Sequence, residues 1–232
     1  MKIVFLNTWN GRVREEIAEF IKQQARDTDL FCFQEVHDEM MPLCRDILPN
    51  YKEFSSYKSV TDDDYFLQAT YVKEGIGIIS SGVLLEREPD CGLGLYVEVR
   101  TGSMNQNVFI CNFHGISRPV DKLDNPSRLN QSRALIEFFG AKEGLKIIGG
   151  DFNILPETKS IKMFEMSGYS NLVKDFEIKT TRNRLAWDMY PGSKQYYADY
   201  VFIDQDVKLQ EFSVPNNEVS DHLPLIVVIE AN

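Results

Sequence analysis

The sequence predicts one α+β domain. Three observations lead there. Strand-like runs of β-branched and aromatic residues mix with helical patterns from end to end. No repeat, low-complexity tract or linker divides the 232 residues. Hydrophobic residues make up 43% and aromatics 12%, an ordinary globular composition at a length that allows a two-sheet sandwich with a filled core.

The elements follow in order. Lys2 to Leu6 reads as a buried strand that stops at Asn7-Thr8-Trp9-Asn10-Gly11. Val13, Ile17, Phe20 and Ile21 then fall at helical spacing. Leu30 to Phe33 is a second buried strand, ending in Gln34-Glu35, and a helix over Glu39 to Leu48 stops at Pro49. Between Tyr51 and Gly115 come short β-rich segments: Tyr51–Ser56, Leu67–Val72, Ile76–Ile79, Val83–Leu85, Leu95–Arg100 and Val108–Phe113. Turn residues separate them, which predicts an antiparallel meander. Asp62-Asp63-Asp64 reads as a solvated loop. Asn125-Pro126 starts a helix whose face carries Leu129, Ser132, Leu135, Ile136 and Phe139. The strand Lys146-Ile147-Ile148 ends at Gly149-Gly150-Asp151-Phe152-Asn153. A helix over Glu157 to Met166 follows, ended by Gly168. Tyr197–Ile203, Val207–Val214 and Leu225–Ile229 complete the strands.

Charge and cysteine usage narrow the classes. The net charge of -10 argues against loose adhesion to nucleic acid or acidic membrane. A phosphate substrate stays open, because a bound metal ion inverts the local field. No apolar run is long enough to cross a bilayer, so no membrane insertion is expected. Ile3 to Leu6 is too short for a signal-peptide core. Cys32, Cys44, Cys91 and Cys111 form no CxxC pair, and Cys32 and Cys111 lie in apolar runs. These features predict a reduced, cytoplasmic protein, taken as a monomer.

Several strands end in polar residues of chemical interest: Asn7, Glu35, His114, Asp151 with Asn153, Asp199, and Asp221 with His222. Each alone has a local explanation: a cap, a turn, a satisfied core histidine, a strand-edge pair. Positions two apart in a strand point the same way, so Asp151 and Asn153 can share a site, although Asp and Asn after Gly-Gly also make a turn. Together the residues form a set. Glu35 and Asp221 can hold a hard divalent cation, with Asn7 as a neutral oxygen ligand or an orienting partner. His222 is a natural general base whose other nitrogen Asp199 can hold. Asn153 and His114 supply donors for a phosphate oxygen. No serine or cysteine sits beside His222 in a nucleophile motif, so water is the expected attacker.

In this set the sequence resembles the endonuclease/exonuclease/phosphatase family, which includes pancreatic deoxyribonuclease, inositol polyphosphate 5-phosphatases and neutral sphingomyelinases. The matching stretches are Leu6-Asn7-Thr8-Trp9-Asn10, Phe33-Gln34-Glu35-Val36, Asn112-Phe113-His114-Gly115, Gly149-Gly150-Asp151-Phe152-Asn153, Ala198-Asp199-Tyr200-Val201-Phe202 and Ser220-Asp221-His222-Leu223-Pro224-Leu225. They span nearly the whole chain in the family's order. The resemblance implies a four-layer α/β/β/α sandwich of two mainly antiparallel sheets flanked by helices, one domain over residues 1–232. It implies Mg²⁺ or Mn²⁺ dependence and in-line attack of water on a phosphoester. It makes Glu35 the principal metal ligand, with Asn7 and Asp221 in or beside the metal shell. Asp151 and Asn153 orient water and phosphate, His114 donates to phosphate, and Asp199 orients His222. Asp151 is left two roles, helping to activate the water or to protonate the leaving group.

Departures select a branch. Phe113-His114-Gly115 stands where abasic-site endonucleases carry Tyr-x-Pro-Asn, and Tyr197-Ala198-Asp199-Tyr200 lacks the Cys-Asp-Arg of the inositol phosphatases. Outside the core set, Arg182 and Asn183 are candidates to grip a second phosphate or a leaving group, and Trp187 to stack on a base. Trp9 is read as core and His37 as solvent-facing, while Arg118, Lys122 and Arg128 are either a basic rim after His114 or, for the most part, surface charges with acidic neighbours. Three functions stand in order: a nuclease-like phosphodiesterase on nucleic acid or a nucleotide-type diester; a hydrolase of a small-molecule or lipid-headgroup phosphoester; and a non-catalytic binding module. Such a module has no need of Glu35, Asp199 and His222 together.

Overall fold

The computed structural model describes residues 1–37, 39–61, 64–100 and 106–230. Twelve strands form two six-stranded sheets. The first contains β1 (Lys2–Asn7), β2 (Leu30–Gln34), β3 (Tyr51–Thr61), β4 (Asp64–Lys73), β11 (Leu209–Ser213) and β12 (Leu225–Ile229), in the order β11-β12-β1-β2-β4-β3. The second contains β5 (Gly77–Leu84), β6 (Leu93–Arg100), β7 (Val108–His114), β8 (Leu145–Asp151), β9 (Tyr169–Asn171) and β10 (Asp199–Asp204), in the order β5-β6-β7-β8-β10-β9. Among the described residues, only β1–β2 and β7–β8 pair parallel. Helices α1 (Arg14–Gln24) and α2 (Met40–Ile47) cover the first sheet, and α3 (Pro126–Gly140) and α4 (Lys159–Met166) the second. Two short helices, α5 (Leu172–Asp175) and α6 (Arg184–Met189), complete the chain. This is the expected four-layer sandwich. Among the described residues, no helix is long and apolar enough to cross a membrane.

Side-chain alternation explains both cores. In β1, Ile3 and Phe5 pack between the sheets while Val4 and Leu6 face α1 and α2. In β2, Leu30 and Cys32 face the second sheet and Phe31 and Phe33 the helices. Period-2 geometry therefore requires apolar residues at every position, which is why both strands read as unbroken hydrophobic runs. The four thiols are buried, and burial pushes the Cys44 thiol up to about 12.

The same alternation places polar residues at the sandwich edge. Asn7, Gln34, Asn112, His114 and Asp151 continue the inward-facing rows of β1, β2, β7 and β8. Gly149 and Gly150 let the sheets close over them. A Cβ on Gly149 would stand 2.8 Å from the Phe5 ring, and one on Gly150, at φ +131°, 2.1 Å from the Phe113 carbonyl. Next to this contact lies a buried amide network. Gln34 Nε2 donates to Asn112 Oδ1 at 2.6 Å, and Asn112 Nδ2 donates to the Phe33 and Ala69 carbonyls at 3.0 and 3.1 Å. Gln68 Nε2 donates to the Asn112 carbonyl at 2.8 Å.

Four expectations change. The predicted meander is broken: β3–β4 belongs to one sheet and β5–β6–β7 to the other, because β2 already occupies the free edge of β4. Segments Ile76–Ile79 and Val83–Leu85 merge into one strand, β5, and Tyr51–Ser56 extends to Thr61. Asp62 and Asp63 lie outside the described residues, while residue 64 opens β4. Arg128 and Lys122 are buried, not surface charges: Arg128 donates to the carbonyls of Pro119 and Leu123 at 2.6 Å and fixes the loop leading into α3. The short elements α5, α6 and β9 carry too little periodicity to be seen in the sequence.

The amide network yields a stability test. Replacing Asn112 by Ala removes the side-chain donor to the Phe33 and Ala69 carbonyls and leaves Gln34 Nε2 only the longer bond to the Cys32 carbonyl, all in a dry interior. Urea unfolding should show a loss of about 3 kcal/mol.

Candidate active site

The site opens where β1, β2, β7, β8 and β10 end together. β10 runs antiparallel to β8 with Asp199 opposite Asp151, so its first residue joins their last. β12 runs antiparallel to β1 and starts at Leu225 opposite Phe5, which brings the preceding Asp221 and His222 to the same end. Six segments distant in sequence thus deliver their polar ends to one edge.

Asn7 ties the two sheets at this edge. Its Nδ2 donates to Glu35 Oε1 and to Asp151 Oδ2, both at 3.0 Å, and its Oδ1 accepts from the Trp9 amide. Glu35 follows β2 at φ +54°, a left-handed conformation uncommon for a residue with a side chain. Thr8 holds that turn by donating to the Gln34 and Glu35 carbonyls at 3.0 and 2.6 Å. Asp151 Oδ1 accepts from the Asn153 amide at 2.9 Å, so the expected turn is formed as well as the shared site. Asn153, at φ +55°, leaves the strand and donates to the Gly115 carbonyl.

Both site histidines face Asp151. His114 Nε2 and His222 Nε2 each lie 3.7 Å from Asp151 Oδ2. His222 Nδ1 contacts both oxygens of Asp199 at 2.9 Å. The Asp199 backbone is held in turn, because its N–H and that of Ala198 donate to Thr181 Oγ1. Ser220 Oγ donates to the Asn7 carbonyl at 2.7 Å and accepts from the His222 amide, locking the segment before β12 onto β1.

Arg182 bridges the remaining pair. Its Nη2 donates to Asp221 Oδ2 at 2.6 Å and its Nη1 stands 2.8 Å from His222 Nε2. Two N–H donors do not stand that close, so the ring in this arrangement is neutral, with its proton on Nδ1 toward Asp199. The surrounding charge pulls the other way. Burial and Arg182 lower the imidazole pKa, but Asp199, Asp221 and Asp151 outweigh them and raise it to about 9. Protonation of His222 therefore requires Arg182 to withdraw. At Asp151 burial favours the acid, yet His222, His114, Lys122 and Arg182 prevail and hold the pKa below its usual range.

Lys122, expected on a basic rim or as a surface charge, is instead a buried residue of the site. It is 7% exposed, and its Nζ donates to the Ser117 carbonyl and to Asn153 Oδ1. Both partners are neutral. Burial pulls its pKa down to about 8 against the attraction of Asp151. Its place after His114 marks it as a candidate, but nothing in the aperiodic stretch Gly115 to Asp124 marks its burial. His37 also departs from expectation: it is 8% exposed, with its ring edge-on to Tyr65 at 4.3 Å. Trp9 is half-buried under Arg12.

The outer candidates separate. Arg182 reaches the centre, but Asn183 is committed to the fold: its Oδ1 caps α6 through the Leu185 amide and its Nδ2 donates to the Asn217 and Ser220 carbonyls. That leaves the amide no free group with which to grip a substrate. Trp187, half-buried on α6, lines a cleft of about 490 Å³ that Arg182 also borders. A second cleft of about 230 Å³ is bordered by Glu35 and His114.

The donor set suits a divalent cation. Glu35, His114 and Asp151 each offer one ligand atom, all within 4.8 Å of one another. Glu35, Asp151, Asp199 and Asp221 stand against Lys122 and Arg182, which leaves a negative excess equal to the charge of one such ion. Among the described residues Asp221 lies outside the three-residue group, in its ion pair with Arg182.

A chain with this fold and this edge is a phosphoester-hydrolase scaffold. The sequence profile of the Endonuclease/Exonuclease/phosphatase family matches residues 5–222, and the chain belongs to that family. No curated protein matches it. Among solved structures it is similar to the human Nocturnin catalytic domain, with 14% identity and a TM-score of 0.74 over 99% of this chain and 93% of that one. It is similar to truncated TDP2 of Caenorhabditis elegans, with 17% identity and a TM-score of 0.71 over 98% and 96%. The mannosyl-6-phosphatase of Bacteroides thetaiotaomicron gives 14% identity and a TM-score of 0.73 over 99% of both chains.

The charge balance predicts a titration. In EDTA the His222 ring should titrate by NMR near pH 9, and Mg²⁺ should lower that midpoint by neutralising nearby carboxylates. The sign for stability follows. The folded pKa lies above the unfolded value of about 6.5, so the contribution is complete below pH 6.5 and is lost as pH rises through about 9. Urea midpoints of the EDTA-treated chain should fall across that window, and His222→Gln should flatten the slope.

Proposed function

We propose that the chain is a divalent-cation-dependent phosphodiesterase acting on a nucleotide-type diester. The observation that carries this reading is the convergence of Glu35, His114, Asp151, Asp199 and His222 from five strand ends on one edge. Glu35 and Asp151 would hold Mg²⁺ or Mn²⁺, and Asn7 orients the two carboxylates. The bound cation withdraws charge from the phosphoryl oxygens as a Lewis acid.

The remaining steps belong to the chain's own groups. Asp199 keeps the His222 proton on Nδ1, which leaves the Nε2 lone pair to take a proton from water. Arg182 releases Nε2 when a phosphoryl oxygen replaces it as the partner of the guanidinium. His114 donates to a second phosphoryl oxygen. Lys122, a buried cation whose direct partners are neutral, gains its counter-charge from the substrate and holds the Asn153 amide in place. Asp151, kept ionised by its neighbours, orients water and ligand.

A second reading, hydrolysis of a small-molecule phosphoester, draws on the net charge of -10, which repels long polyanions away from the site. It also draws on a fold neighbour named as a sugar phosphatase. Competition by single-stranded DNA in a small-diester assay separates the two.

Three outcomes test the proposal. Purified protein should release product from a generic diester with Mg²⁺ or Mn²⁺ and lose the activity in EDTA; no turnover of any phosphoester would remove the reading. Glu35→Ala and His222→Ala should each cost at least about 100-fold in kcat while circular dichroism shows the fold retained. Lys122→Met should lower kcat/KM about 10- to 100-fold, the worth of a charged hydrogen bond to phosphate.

A further inference from the structure

The cleft beside the candidate metal ligands has one wall unlike the rest. Its polar floor carries Glu35 and His114, and its side carries His37, Tyr65 and Phe66. Phe66 is buried with its ring perpendicular to His114, centroids 4.8 Å apart. Tyr65, the next residue along β4, points to the opposite face and is 38% exposed. The His37 ring meets Tyr65 edge to face at 86°, and Tyr57 lies 5.6 Å from Tyr65 and is 56% exposed. Register explains the pair: Tyr57 opposes Leu67 and Ser59 opposes Tyr65, so the tyrosines are diagonal neighbours on one face of the β3–β4 hairpin.

Farther along this face of the hairpin, Ala69 and Tyr71 pack under α1 and α2. Tyr57 and Tyr65 are left open at the end nearer the catalytic edge. Two open tyrosine rings tilted by 44° to one another, with the His37 ring perpendicular to one of them, make a rigid aromatic surface of low entropy cost. A sugar or an acyl chain offers such a surface no π-face to stack on, whereas every nucleobase does. The cleft, about 230 Å³, is on the scale of one ring system with its phosphate, not an extended strand.

We propose that His37, Tyr57 and Tyr65 form a nucleobase subsite, so that the phosphoester held at Glu35 and His114 is that of a small nucleotide. The subsite deepens the hydrolase reading and rests on it for the position of the phosphate.

The experiment measures binding, not turnover. Adenosine 5′-monophosphate and ribose 5-phosphate share phosphate and sugar and differ in the base. Calorimetry with Mg²⁺ present should show the nucleotide binding about tenfold tighter. Tyr65→Leu should erase that advantage and leave ribose 5-phosphate where it was, while Tyr65→Phe, which keeps the ring, should preserve it. A short single strand should bind no tighter per nucleotide than the monomer; tighter binding would overturn the restriction to small nucleotides. Equal affinities for the two phosphates in the parent chain would overturn the subsite. So would a Tyr65→Leu loss shared equally by both ligands, which marks a packing role. Hydrolysis by a chain that fails these tests refutes the subsite alone, and base-dependent binding without any turnover refutes the hydrolase reading alone.

Discussion

One amide joins the two halves of the molecule at the place where chemistry is proposed. Asn7 ends a strand of the first sheet, yet its Nδ2 is shared between Glu35 of that sheet and Asp151 of the second. For this bond to exist, the sheets must approach until Phe5 lies against the bare backbone of Gly149. The close approach removes water, and a buried amide then has only carboxylates to satisfy it. Spreading the sheets by the width of one side chain would separate Glu35 from Asp151 and dissolve the group that suits a cation.

The arrangement is costly for an empty chain. Asp151, Asp199, Asp221 and Glu35 crowd one edge against two cations, and three of the four are nearly fully buried. Glu35 and Asn153 sit at positive φ, a conformation that structures retain mostly where neighbours force it. The neighbours here are visible: Thr8 fastens the turn at Glu35, and Lys122 with the Gly115 carbonyl fastens Asn153. Strain and charge crowding at one end contrast with apolar packing along both sheets. That contrast singles out the edge as the candidate site before any relative is considered.

Arg182 shows how one side chain can belong to two arrangements. Bound to Asp221 and His222, it compensates burial and covers the lone pair that a general base needs. Withdrawn, it leaves Asp199 and His222 as an oriented dyad. The isolated bridge between the backbones of residues 182 and 222 keeps the two segments in register in either case. Asn183 beside it has the opposite character, since its whole amide is spent on the cap of α6 and on residues 217 and 220.

The sequence by itself determined the layers and most of the residues that meet at the candidate site. Apolar runs such as Ile3 to Leu6 and Leu30 to Phe33 state that both faces of a strand are covered, and the polar residue that ends each run states where the cover stops. Period-2 alternation then carries Asn7, His114 and Asp151 to the inner face with no tertiary information. Only the tertiary structure decided which strands share a sheet, because β3–β4 and β5–β6 look alike locally and differ in which edges are already occupied. It alone decided that Lys122 and Arg128 are buried, that Asn183 serves the fold, and that His37 and Tyr65 wall a cleft. Those outcomes depend on what stands opposite a side chain in space, and for these residues the neighbour that matters lies tens of positions away or in a loop without periodicity.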